Sequence, residues 1–216
     1  MRRANVMRAA RPIAIAAAVS CLAASAVAGV MDPEPGDMAL GSATAPVTLI
    51  EYGSVGCSHC ADWRHDVFPT LKAKYIDTGR VRFVLREMIN GDPTIATAGF
   101  MLARCAGPAK YFQVVDAVFE RQPQMWGAAS KAGAVLGEIA KDAGLSEDAY
   151  EACIGDQKGL DALNARIAQH DKDKVDETPT FFVNGKRYEE LTLAQLATAM
   201  RPMASRPAAA RPGHRA

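Results

Sequence analysis

The residues best suited to covalent chemistry in this 216-residue chain are its five cysteines. Two of them, Cys57 and Cys60, are separated only by Ser58 and His59, and they follow the apolar run Val47-Thr48-Leu49-Ile50. A helical pattern begins at Cys57. A cysteine at a helix N-terminus feels the partial positive charge of the unpaired N–H groups, which favours its thiolate, the nucleophilic form. Cys60, one helical turn on, is placed to attack a mixed disulfide formed at Cys57 and close the ring. The spacing therefore serves thiol–disulfide exchange.

Other uses of paired cysteines fit less well. Haem attachment needs a histidine directly after the second cysteine, and Ala61 stands there. A zinc module wants a second closely spaced ligand pair, whereas Cys105 and Cys153 lie 48 positions apart. Copper binding through two thiolates has no supporting cluster of methionine and histidine. No cofactor is expected.

The compartment fits the exchange chemistry. Residues 1–12 hold Arg2, Arg3, Arg8 and Arg11 with no acid, residues 13–22 are apolar, and Ala26-Val27-Ala28 offers a small-residue cleavage site before Gly29. This is the three-part pattern of a secretory signal peptide, residues 1–28. Its apolar stretch is short against the roughly 20 residues of a membrane span. Ala18-Val19-Ser20-Cys21 lacks the leading leucine of a lipoprotein box, so Cys21 is not expected to carry a lipid. Export to the periplasm is the expectation. Cleavage leaves Cys57, Cys60, Cys105 and Cys153, an even set of the kind that forms disulfides outside the cytoplasm.

Charge narrows the partners. The chain is formally +1. Losing the four signal arginines brings it to about −3, and setting aside Arg201, Arg206, Arg211 and Arg215 of the tail leaves a body near −7. Such a body is a poor partner for nucleic acid. The tail, residues 200–216, holds Pro202, Pro207 and Pro212 and reads as disordered.

Between these ends the pattern predicts one α/β domain, residues 29–199. Residues 30–46, with Pro33, Pro35, Gly36 and Pro46, read as an extended lead-in. Residues 47–52 form a strand, and Trp63, Val67, Phe68, Leu71, Tyr75 and Ile76 recur at helical spacing, with Pro69 kinking the helix. Residues 81–85 alternate as a second strand, completing a β-α-β unit. Asp92-Pro93 then starts a helical insertion, about 92–175, with helices expected at 94–106, 111–121, 130–143, 146–154 and 160–170. Strand character returns at 178–183. Asn184-Gly185 makes a hairpin turn, Lys186-Arg187-Tyr188 begins the return strand, and Thr192 opens a last helix. Cys105 and Cys153 fall near the ends of insertion helices. Paired, they would close a loop of about fifty residues and stabilise by about 4 kcal/mol on the chain-entropy model; unpaired, they would behave as buried hydrophobes.

Cys57-Ser58-His59-Cys60 after a strand, a helical insertion, and Thr178-Pro179 entering a hairpin resemble the DsbA-type thiol–disulfide oxidoreductases over residues 47–200. The family's commoner dipeptide between the cysteines is Pro-His; here it is Ser-His. The resemblance implies a thioredoxin-like fold with a helical domain inserted between the β-α-β unit and a cis-proline hairpin. It implies Cys57 as the exposed attacking sulfur, Cys60 as its buried partner, and His59 as a stabiliser of the Cys57 thiolate. Thr178-Pro179 becomes the cis-proline loop that faces the sulfurs and receives substrate, Glu51 a buried proton relay, and Cys105–Cys153 an extra structural disulfide. The implied partners are reduced or unfolded exported proteins and a DsbB-like membrane quinone oxidoreductase, with the chain a monomer. Introduction of disulfides is the expected function. Reducing or isomerising exchange is the alternative, and a periplasmic copper-binding role a weaker one. His65 and the run Asp171-Lys172-Asp173-Lys174 read as solvent-facing, and His170 as lying on a charged helix end.

Overall fold

The computed structural model describes residues 29–200, so the signal peptide, Cys21 and the arginine-rich tail lie outside the described residues. Strand β2 (Val47–Gly53) is almost wholly buried, and a strand buried on both faces belongs at the middle of a sheet. It pairs in parallel with β3 (Val81–Glu87) on one side and antiparallel with β4 (Thr180–Val183) on the other. β5 (Lys186–Tyr188) extends the sheet from β4 through the turn at Asn184 and Gly185, both at positive φ. β1 (Met38–Leu40) lies antiparallel to β3, giving the order β1-β3-β2-β4-β5. Part of the lead-in is thus a strand, too short at three residues to show a period.

The parallel crossover from β2 to β3 carries α1 (Ser58–Asp66) and α2 (Phe68–Leu71). The helix breaks at Val67 instead of kinking at Pro69. Pro69 then sits in the first turn of α2, where a missing N–H leaves no bond unmade. A π-helical turn, Lys72–Ile76, completes the segment.

Five helices stand between β3 and β4: α3 (Pro93–Cys105), α4 (Tyr111–Met125), α5 (Ala129–Asp142), α6 (Glu147–Ile154) and α7 (Gln157–Gln169). Asp92 caps α3 by accepting from the N–H groups of Thr94 and Ile95 at 2.9 and 3.1 Å. α4 runs through Gln122-Pro123 to Met125, a turn further than the sequence suggests. A proline in a last turn removes only one bond, and Gln122 on that turn is held by tertiary contacts given below. Cys105, closing α3, is joined in a disulfide to Cys153 of α6. A short helix, α8 (Leu193–Ala199), follows β5, with Thr192 and Gln195 forming a capping box. Among the described residues no helix is long and apolar enough to cross a membrane.

Alternation along the central strands separates two cores. Val47, Leu49, Phe83, Leu85, Phe181 and Val183 face α1 and the helical insertion. Ile50, Tyr52, Val84 and Phe182 face the other way, under Val30, Met31 and Val175. Arg86 is buried on that second face. It donates to Tyr52 Oη at 2.6 Å, to the carbonyls of Val30 and Asp32, and to the Asp37 carboxylate. One expectation is corrected here. Asp173 is not solvated: its carboxylate accepts from Tyr52 Oη at 2.6 Å and lies 3.5 Å from Arg86. For Asp173 the cause is the buried Arg86 guanidinium, which needs anions gathered around it. His170 does lie on the charged end of α7, as its C-cap, and it is buried there, edge-on to Tyr52, with Nε2 3.2 Å from Glu34. His65 is exposed.

Candidate redox-active site

The site lies where β2 leaves the sheet. The chain turns through 54–56, and Cys57 is the N-cap of α1 with extended backbone (φ −95°, ψ 124°). The turn is tightly held. Ser54 Oγ donates to the Asn90 carbonyl at 2.7 Å and accepts from the N–H groups of Gly56 and Asn90. Gly91, at φ +74°, approaches so closely that a Cβ there would collide with the Gly56 carbonyl. From the insertion, the buried Gln122 side chain donates to the carbonyls of Val55 at 2.8 Å and Cys57 at 3.2 Å. Nothing in the sequence around Gln122 marks this role.

Cys57 and Cys60 are both free thiols, and Cys57 is the more open: 7% exposed against 0%. Cys57 is therefore less exposed than anticipated, because the loop before β4 covers it; its Sγ–H donates to the Thr178 carbonyl at 3.4 Å. The Cys60 backbone N–H donates to Cys57 Sγ, also at 3.4 Å. The two sulfurs titrate far apart. The Cys60 thiol donating to Cys57, then the Thr178 side chain and the backbone N–H groups of Cys60 and His59, outweigh burial and lower Cys57 to about 5. Burial pushes Cys60 well up, and the Cys57 and Glu51 charges add to that. One cysteine is thus a ready nucleophile and leaving group, and the other keeps its proton.

The remaining predicted residues are placed as follows. His59 is exposed, and its backbone N–H is among the groups that favour the Cys57 thiolate. The Thr178–Pro179 bond is cis and directly precedes β4, which starts at Thr180; Pro179 has no N–H to donate to the ladder. Glu51 is wholly buried in β2, opposite Leu85 and Phe181, and not at an exposed edge. Burial, its largest influence, raises its carboxyl to about 7 against the opposing pull of Arg64. Arg64 of α1 lies 3.8 Å from Glu51 but 2.6 Å from Asp116 of α4, and it stacks 3.4 Å above the Phe68 ring. Arg64 and Asp116 were not anticipated. Arg64 does occupy a core-facing position, since Cys60, Trp63, Arg64 and Val67 follow helical spacing, and that is the available signal.

A cysteine pair at a strand–helix junction, facing a cis-proline just ahead of the neighbouring strand, defines a thioredoxin-fold dithiol centre. A family profile described as thioredoxin matches residues 33–201. Alpha-DsbA1 of Wolbachia pipientis superposes with a TM-score of 0.72 at 28% identity, over 80% of this chain and 92% of that one. Disulfide bond formation protein D of Bacillus subtilis is 28% identical over 169 residues, 70% of this chain and 69% of that protein. A Rickettsia bellii protein whose name places it with the protein-disulfide oxidoreductases is 32% identical over 165 residues, 76% of this chain. The chain spans 63% of the length of that relative. It belongs to the thioredoxin family, and within it to the DsbA type, in which helices are set into the fold.

Proposed function

We propose that the protein is an exported, monomeric thiol–disulfide oxidoreductase that introduces disulfides into folding substrate proteins through Cys57. In the oxidised form Cys57 and Cys60 are joined. A substrate thiolate attacks Cys57 Sγ, a mixed disulfide forms, and Cys60 leaves as a thiolate that takes up a proton. A second substrate thiolate then attacks its own sulfur in the mixed disulfide and expels Cys57. The substrate gains a disulfide, and the enzyme pair gains two electrons.

The observation that carries this reading is the division between the sulfurs, with Cys57 lowered to about 5 and Cys60 raised. A stabilised Cys57 thiolate favours the reduced enzyme and makes the disulfide a strong oxidant. Glu51 acts as proton relay to Cys60, its carboxyl poised near neutrality by burial. His59, beside Cys57 at the helix start, favours its thiolate, and Thr178-Pro179 receives the substrate backbone. The disulfide Cys105–Cys153 is structural. Re-oxidation falls to a quinone-linked membrane partner of the DsbB kind in the periplasm.

The test is to mix oxidised protein with a reduced, unfolded substrate and the Cys60→Ser variant with a substrate disulfide. The proposal expects substrate disulfides at the expense of the enzyme's, and a trapped mixed disulfide at Cys57. Trapping through Cys60 in the Cys57→Ser variant instead would reverse the assigned roles. Rescue of a scrambled substrate by reduced protein, without net oxidation, would favour the isomerising alternative.

A further inference from the structure

A cavity of about 510 Å³ is lined by Pro179 and by two neighbours of Cys57, His59 of α1 and Thr178, whose carbonyl meets Cys57 Sγ. Its floor is apolar, formed by Trp63, Val67, Phe181 and Leu191, all buried, and Trp63 Nε1 is tied to the Leu191 carbonyl at 2.8 Å. Its rim is acidic. Asp62 and Asp66 come from α1, Glu177 from the approach to β4, and Glu189 and Glu190 from the link between β5 and α8. All five are exposed. Among the described residues Asp62, Glu177, Glu189 and Glu190 form no ion pair, and Asp66 meets only the exposed His65. His59 is the single basic residue on this rim.

This is not just the acidity of the whole body. The cavity of about 640 Å³ on the other side of α1 also carries acids, but it holds Arg64, His65 and Lys72 as well, and its Asp116 is paired with Arg64. Of these two cavities among the described residues, it is the one on the cis-proline side where uncompensated carboxylates from three separate elements converge. An apolar floor with unpaired anions around it is complementary to an extended chain bearing an apolar residue between cations.

We propose that this groove binds segments of substrate proteins in which the reacting cysteine neighbours apolar and basic residues, so that positive charge near a cysteine selects it for exchange. This rests on the reading of Cys57 as the exchanging sulfur. Exposed ion pairs contribute modestly, and two of them together give about a tenfold preference at low salt, lost as ionic strength rises.

Two peptides test it, each with one cysteine beside a leucine, flanked by arginines in one and by glutamates in the other. Serine versions report binding to the oxidised full chain by fluorescence anisotropy, without chemistry; the cysteine versions report exchange. The arginine peptide should bind about tenfold tighter and react correspondingly faster at low salt. Glu189→Lys/Glu190→Lys should abolish or invert the preference. Glu151→Lys/Asp161→Lys, on α6 and α7 with the same change in net charge, should largely retain it. Equal binding of both serine peptides, or equal loss of preference in both double variants, would overturn the proposal. Selective binding of the arginine peptide with no exchange of either cysteine peptide would uphold the groove and refute the oxidase reading. A preference that emerges only after removal of residues 201–216 would place the chain's own arginine-rich tail in the groove and overturn the assignment to substrate.

Discussion

Replacing Glu51 with glutamine should flatten the protein's loss of stability with rising pH. Glu51 is wholly buried and neither carboxyl oxygen accepts a hydrogen bond, while Arg64 at 3.8 Å is drawn away toward Asp116. Burial therefore raises its carboxyl from an ordinary 4.5 to about 7. Between those values the folded chain holds a proton that the unfolded chain has released, so stability falls as pH rises through the interval. At about 1.4 kcal/mol per pKa unit, the loss from this group amounts to about 3 kcal/mol, complete above about pH 8. Buried His170 acts in the opposite sense, since burial lowers its pKa and stability from it grows as pH rises toward its ordinary 6.5. The difference between variant and parent isolates Glu51. Urea unfolding is measured from about pH 4 to 8 in a Cys57→Ser/Cys60→Ser background, which removes thiol titration and leaves Cys105–Cys153 intact. The Glu51→Gln chain should gain about 3 kcal/mol on its parent across that range. Parallel pH profiles would refute the argument.

Other variants probe the rest of the framework. Thr178→Val removes a side chain that favours the Cys57 thiolate; its Cys57 should titrate above the parent's value of about 5, followed by ultraviolet thiolate absorbance, and an unchanged titration counts against that role. Cys105→Ala/Cys153→Ala opens a loop with a separation of 48 residues, and denaturant unfolding should register a loss of about 4 kcal/mol. Gly91→Ala puts a Cβ against the Gly56 carbonyl at a backbone angle of +74°. Its stability should fall by at least about 1 kcal/mol, and Cys57 alkylation kinetics should change as the turn at 54–56 shifts; unaltered values in both assays would show that the turn tolerates displacement.

Most of the frame was legible because it rests on local signals. The run at 47–50, the alternation at 81–85, Asp92-Pro93 and Asn184-Gly185 each encode their element within a few residues, and the helices at 93–105, 129–142 and 147–154 lie within a residue or two of expectation. The cysteine pair announced itself by spacing and position. What escaped notice depends on distant partners. β1 exists because β3 offers it an edge. Asp173 is drawn in because Arg86, far away in sequence, gathers carboxylates around itself, and His170 is enclosed between Tyr52 and Glu34. Gln122 matters because α4 passes under the turn at 55–57, and Asp116 because the same helix reaches Arg64. A pattern in one stretch carries no record of such meetings.

A Cys57 thiolate stabilised by the fold makes Cys57–Cys60 an oxidising pair. The most direct test is equilibration of that pair with glutathione at neutral pH, the reduced fraction read from alkylated Cys57 and Cys60 by mass spectrometry. A reduction potential near the about −120 mV of a strong dithiol oxidant is expected, and a potential near the about −270 mV of thioredoxin would refute an oxidising pair.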